Sequence, residues 1–182
     1  MQIFKTKINE VLLFLPDIFQ DDRGYFFESY SHSKYCALCE MTDFIQDNES
    51  HSTYGTLRGL HYQLPPNDQA KLVRVVQGKV FDVAVDIRQS SPTFRQYVLA
   101  ELSEKNKHQL FIPRGFAHGF LVLSDHCIFA YKVDNRYEKK SEQSIRWNDP
   151  HLNIPWGMPE KDIILSSKDK IAPFLSDAII FP

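Results

Sequence analysis

The densest run of side chains able to do chemistry lies between residues 46 and 71. It holds Gln46-Asp47-Asn48-Glu49-Ser50, then Arg58-Gly59-Leu60-His61-Tyr62-Gln63, then Gln69-Ala70-Lys71. An imidazole titrates near neutral pH, so a histidine in such a run offers a base. Arginine and lysine offer fixed positive charge for an anion. Arg58 and His61 are an odd number of residues apart, which on a regular strand aims them at opposite faces. A bulge at Gly59 would re-aim one of them. Sheet rims use the same residue types, so a surface reading stands beside the catalytic one. A second cluster, Pro113-Arg114-Gly115-Phe116-Ala117-His118-Gly119-Phe120, sets a histidine just after a tight turn.

Together the two segments resemble the paired metal motifs of the cupin superfamily. Gly55 and His61 match the opening of the first motif, and Pro113, Gly115 and His118 match the core of the second. The first motif then needs another histidine where this chain has Gln63, and only Asp68 offers a carboxylate nearby. Metal sites use three or four well-placed ligands. The pattern therefore reads as a barrel without its metal, leaving His61 and His118 for other work. His32, His51, His108, His126 and His151 read as surface or structural residues. Cys36 and Cys39 read as two thiols on a short helix, and Cys127 as core. By spacing alone Tyr131 is a strand aromatic, Glu142 a loop carboxylate, and Asp169 a capping residue paired with Ser166.

The elements that must position these groups are strands. Residues 79–87 alternate with period two: Val80, Asp82, Ala84 and Asp86 on one face, Phe81, Val83, Val85 and Ile87 on the other. Further strands are predicted over 71–76, 96–102, 109–112, 118–123 and 127–133. Turns fall at Gln77-Gly78, Ser90-Ser91-Pro92, Lys105-Asn106, Pro113-Arg114-Gly115 and Ser124-Asp125. Such spacing predicts an antiparallel sandwich or barrel. Helical pattern is confined to residues 33–41 and to a capped turn from Ser166 to Asp169.

Composition narrows the function classes. In 182 residues, 43% are hydrophobic and 24% charged, a globular balance. The length is expected to form a single domain, 1–182. Lys plus Arg is 21 and Asp plus Glu 23, a net charge of −2, which argues against nucleic acid as a partner. No apolar run reaches membrane-span length, and no signal peptide is apparent at the N-terminus. Three cysteines are too few for a disulfide scaffold, so a reduced, cytoplasmic protein is expected.

Nearly end to end, the chain resembles the dTDP-4-dehydrorhamnose 3,5-epimerase family. The matching stretches are Asp22-Arg23-Gly24 through Glu28, Gln46 through Ser50, Leu57 through Gln63, Lys71 through Gly78, Asp86 through Thr93, Ile112 through Phe120, Tyr131-Lys132, Trp147 through Pro150 and Leu165 through Asp169. The resemblance implies an all-β, antiparallel jelly-roll barrel of cupin type with few short helices, and a homodimer. It implies no cofactor, no metal and a dTDP-sugar as substrate. His61 would be the base, with Asp169 as its partner, Tyr131 the acid on the opposite face, and Lys71 the cation for the enolate oxygen. Arg23, Glu28, Gln46, Asp47, Asn48, Arg58, His118, Glu142 and Lys168 carry over as substrate-binding positions. Val133-Asp134 and Gly157-Met158 depart from the common family pattern.

The implied reaction inverts carbons 3 and 5 of a 4-keto-6-deoxyglucose. Both carbons flank the ketone, so either proton is removable once the enolate is stabilised. Inversion at one carbon only is the alternative. A metal-dependent cupin and a non-catalytic sugar-binding barrel stand further off, the first opposed by Gln63 and the second by a base facing an acid.

Overall fold

The computed structural model describes residues 1–39 and 41–182. In chain order its strands are β1 (Gln2–Lys5), β2 (Leu12–Leu15), β3 (Phe19–Asp21), β4 (Gly24–Phe26), β5 (Gln46–Thr53), β6 (Leu57–Gln63), β7 (Lys71–Gln77), β8 (Lys79–Asp86), β9 (Tyr97–Ser103), β10 (Gln109–Ile112), β11 (Phe116–Val122), β12 (His126–Val133) and β13 (Glu142–Ser144). Two short helices, α1 (His32–Leu38) and α2 (Ser167–Lys170), flank them. The six-stranded sheet runs β1-β2-β10-β7-β12-β5 and the five-stranded sheet β13-β6-β11-β8-β9. Pairings within both are antiparallel, and sequence-distant strands become neighbours, which is the jelly-roll arrangement expected. No helix among the described residues is long and apolar enough to cross a membrane.

Period two in the strands has a direct consequence in packing. The inward residues Val73, Val80, Ala84, Phe120 and Phe129 fill the space between the sheets. The outward residues Val83, Val85, Ala117 and Leu121 are buried too, under a C-terminal layer that includes Trp147, Trp156 and Phe181. On the opposite side Tyr35 of α1 packs on Phe14, Leu72 and Phe111 of the six-stranded sheet. Both faces of the central strands are thus covered, and each fully buried Val, Leu or Phe contributes about 1.5–3 kcal/mol.

The predicted strands from 71 to 133 are present with ends shifted by at most two residues or so. The helix predicted over 33–41 stops at Leu38. Its C-cap Cys39 leaves helical geometry and Met41 takes a left-handed φ of 62°, while Glu40 lies outside the described residues. The capped turn is as expected: Ser166 Oγ accepts from Asp169 N–H at 3.1 Å.

The predicted bulge is where the sequence puts it. His118 pairs with His61 and Phe120 with Arg58, so three steps along β6 oppose two along β11. The extra residue turns Arg58 and His61 to the same, inward side. Gly59 has φ 141°, and a Cβ there would stand 2.6 Å from Gly119 Cα. Gly59→Ala is therefore expected to destabilise the fold by about 1–3 kcal/mol and to misalign His61. Urea unfolding checks this; an unchanged midpoint would mean that the two strands can spread without cost.

Candidate functional site

A carboxylate from α2 holds the histidine of β6. His61 Nε2 lies 2.6 Å from Asp169 Oδ1. A carboxylate can only accept, so Nε2 carries the hydrogen and Nδ1 is the ring's basic nitrogen. Asp169 is itself fixed from behind, since Ser166 Oγ donates to its Oδ2 at 2.7 Å. The Asp169 side chain is 3% exposed and that of His61 38%, so the support is buried and the base is open. Burial pushes the Asp169 carboxyl up, but the His61 and Ser166 hydrogen bonds and the His61 charge bring it below the ordinary range.

Across the interior, β12 of the other sheet contributes Tyr131. Burial raises its hydroxyl pKa, opposed by Arg58, so the phenol keeps its proton at neutral pH. Lys71 opens β7, opposite Val133 and Ile112 on the flanking strands. Burial lowers its ammonium to about 8, with Asp82 opposing that shift. His118 Nε2 meets Asp82 Oδ2 at 2.9 Å, and burial lowers its pKa despite the carboxylate. Arg58 Nε donates to Ser52 Oγ at 3.0 Å. Asn48 and Gln46 alternate on β5 opposite Tyr131 and Val133, and Gln46 Nε2 donates to Asn48 Oδ1 at 2.8 Å. At the rim, Lys168 Nζ donates to Glu142 Oε2 at 2.7 Å, which holds Glu142 below its ordinary pKa. A cleft of about 290 Å³ opens there, lined by His61, Glu142, Lys168 and Ile171 among others.

Around His61 the structure brings together Asp169, Arg58, His118, Glu142 and Lys168, while Lys71, Tyr131, Gln46 and Asn48 stand on strands of the facing sheet. Three expected substrate-binding positions do not join them within one chain. Arg23 is 89% exposed at the β3–β4 hairpin and forks onto Asp21. Glu28 accepts from Lys34 at 2.7 Å. Asp47, one residue out of phase with Asn48, points to the other face of β5 and pairs with Lys132 at 2.6 Å. Asp82 is the group that sequence reasoning passed over. Its signal was a carboxylate on the same face of β8 as Val80 and Ala84, where an apolar residue belongs.

The donor set also bears on metals. Gln63 Nε2 donates to the carbonyls of Asn67 and Arg136, and its Oε1 accepts from Glu138 N–H. The side chain at the second motif-histidine position is thus committed to the backbone. His61 and His118 each spend Nε2 on a carboxylate. Among the described residues no three His, Cys, Asp or Glu side chains are grouped to hold an ion.

The family model for dTDP-4-dehydrorhamnose 3,5-epimerase matches residues 5–177. A dTDP-4-dehydrorhamnose 3,5-epimerase of Shigella flexneri is 54% identical over 170 residues, 93% of each chain. That of Salmonella typhimurium is 50% identical over 184 residues, covering 99% of this chain and 98% of the relative. The crystal structure of dTDP-6-deoxy-D-glucose-3,5-epimerase from Legionella pneumophila, in complex with dTDP-4-keto-L-rhamnose, superposes with a TM-score of 0.93. It is 48% identical and covers 97% of this chain and 93% of that one.

The donor set predicts that turnover of the dTDP-4-keto sugar survives prolonged chelator treatment, because too few ligands converge for a tight site. Loss of activity, restored by one divalent ion, would contradict this.

Proposed function

The chain belongs to the dTDP-4-dehydrorhamnose 3,5-epimerase family, and we propose that its His61, Lys71, Tyr131 and Asp169 carry out the family's reaction. It is an isomerase that converts dTDP-4-dehydro-6-deoxy-D-glucose to dTDP-4-dehydro-L-rhamnose by inversion at carbons 3 and 5. The observation that carries the assignment of roles is the placement of His61 and Tyr131 on facing sheets, with Lys71 between the same walls. His61 Nδ1 takes the proton from a carbon beside the ketone. The C–H electron pair moves into the ring and the negative charge collects on the 4-oxygen, where the Lys71 ammonium stabilises it. Electrostatic stabilisation of this kind is commonly the largest contribution to rate. Asp169 fixes the His61 tautomer and supports the imidazolium. Tyr131 delivers its hydroxyl proton from the other side, and the carbon is inverted. Arg58 and Lys168 serve the diphosphate, for which fork and point-charge donors are suited. Glu142 lines the cleft beside His61, His118 pairs with His61 across β6 and β11, and Gln46 and Asn48 are proposed to bind substrate from β5; no redox step is involved.

The separation of base and acid has a measurable consequence in heavy water. His61→Ala should lose both solvent exchange and inversion, by about 10²–10⁴-fold or more. Tyr131→Phe keeps the base and Lys71, so ring-proton exchange should persist while doubly inverted product falls away, as read by NMR. Full inversion by the Phe variant would remove Tyr131 from the chemistry. Loss of exchange as complete as in His61→Ala would place Tyr131 before the enolate.

A homodimer belongs to the same reading. The hairpin of β3 and β4 is held to the body where Lys107 Nζ donates to the Tyr25 hydroxyl at 2.8 Å, yet it leaves Phe26 70% and Tyr25 56% exposed and carries Arg23 at its turn. A second copy would cover these aromatics and receive Arg23 and Glu28 at its cleft. Asp47 is proposed to contact substrate or the partner's hairpin from the outer face of β5. A cytoplasmic location rests on the cysteine count alone. Sedimentation at micromolar concentration should give twice the chain mass, and Phe26→Asp should weaken the dimer and raise KM together. A fully active monomer would overturn the shared site.

A further inference from the structure

We infer that Lys107 is the positioning residue of the β3–β4 hairpin: its buried ammonium clamps Tyr25 and Phe27 against the body, which leaves Phe26, Glu28 and Arg23 free for the cleft of a second copy. This deepens the homodimer reading above and rests on it.

Contacts between this segment and the body fall on every second residue. Lys107 Nζ donates to the Tyr25 hydroxyl at 2.8 Å and stands 4.2 Å from the centroid of its ring. The Phe27 ring centroid lies 5.9 Å from the same nitrogen and 6.1 Å from the Tyr25 ring. Gln109 Nε2 donates to the Ser29 carbonyl at 2.9 Å. The residues between them are not tied in this way. Phe26 is exposed, and Glu28 reaches Lys34 in a surface pair that water screens.

Lys107 is 8% exposed, yet among the described residues it makes no ion pair. A buried ammonium without a carboxylate is costly unless other groups take the place of its water. The groups at hand are the Tyr25 oxygen and the two aromatic rings. Aromatic rings attract a cation, and more strongly once it is desolvated. The burial of Lys107 and the seating of the hairpin therefore depend on each other.

The backbone points to the same role. Lys107 lies between β9 and β10 with a left-handed φ of 54°, a conformation that glycine takes without strain. The turn is braced around it. Asn106 Oδ1 accepts from the Ser103 and His108 N–H groups, both at 3.0 Å, and Asn106 Nδ2 donates to the Glu101 carbonyl at 2.9 Å. The side chain thus leaves from a fixed base, and its partners are all on the hairpin segment. Gripping alternate residues fixes the rotation of the segment that carries them. The outward residues then keep one orientation, and a second copy need not order them on binding.

The test uses the full chain. Lys107→Met removes the ammonium and keeps an unbranched stem. Amide hydrogen exchange over residues 19–29, read by mass spectrometry, should quicken about tenfold, with exchange in β7 and β12 unchanged. KM for the dTDP-4-keto sugar should rise about tenfold while kcat stays within about twofold, because the hairpin serves binding and the proton transfers lie on other strands. Lys107→Arg, which restores a cation, should return both readings towards the parent. Tyr25→Ala, at an exposed position, guards against a Lys107 variant that does not fold and should reproduce both changes. Parental exchange and KM in either variant overturn the inference. Faster exchange with an unchanged KM overturns it too, since Lys107 would then serve the fold alone. Sedimentation of the parent keeps the two readings apart: a fully active monomer sinks the homodimer, while faster exchange in Lys107→Met would still tie Lys107 to the hairpin.

Discussion

Placing two carboxylates inside an apolar barrel behind two imidazoles removes the carboxylates from water, and the barrel must offset that loss group by group. Every arrangement around the site answers this constraint. Asp169 is bonded by His61 and capped by Ser166. Asp82 is bonded by His118. Asp86, also fully buried, is held by Arg88, Ser91 and Thr93, and Arg88 in turn forks onto Glu10. The first two carboxylates each bond an imidazole, His61 at the cleft and the buried His118 behind it. The third, remote from them, ties the turn after β8 to the N-terminal loop, and Gly115 packs so closely on Arg88 that a Cβ would meet its side chain at 2.6 Å. Similar chemistry thus does positional work in one place and supports reactivity in the other. What separates them is the partner: an arginine cannot give up its proton, and an imidazole can.

The middle of the chain was legible because its strands are covered on both sides. From Lys71 to Val133 the inward and outward residues both meet apolar layers, so hydrophobic strands punctuated by turns appear plainly in the sequence. β5 was not legible as a strand for the opposite reason. Its residues, Gln46-Asp-Asn-Glu-Ser-His-Ser-Thr53, contain nothing apolar, because one face lines the site and the other meets Lys132 and solvent. β1 to β4 are three or four residues long, too short for a period to register, and all but the half-buried β2 are exposed. The C-terminal layer is apolar but irregular, so no period exists to be read there.

Within the site, the segments around His61 and His118 stood out by residue type, and Gly59 gave the reason that Arg58 and His61 could share a face. Tyr131 and Asp169 did not, since a strand aromatic and a capping carboxylate have ordinary explanations. Both explanations hold in the structure: Tyr131 packs on Phe129, and Asp169 closes the cap of α2 with Ser166. A residue that satisfies a structural rule and a functional one together carries no anomaly in the sequence. Asp82 did carry one, a charge among inward valines and alanines, and its meaning depended on a histidine on the neighbouring strand β11.

That dependence explains why the site is built on strands and not on loops. His61, His118, Asp82, Lys71 and Tyr131 come from five strands whose spacing is fixed by ladder hydrogen bonds on both sides, so their separations cannot drift independently. Hydrogen bonds between buried groups hold only at short, well-aligned separations, so a site of this kind needs a rigid frame. The groups proposed to admit and release a nucleotide sugar are placed differently. Glu142 and Lys168 stand at the rim, on the short edge strand β13 and on α2, and they pair with each other at the surface, where water screens their attraction. A bond of that kind can exchange for a phosphate at little cost, whereas the pairs inside the barrel are held in place by the strands that carry them.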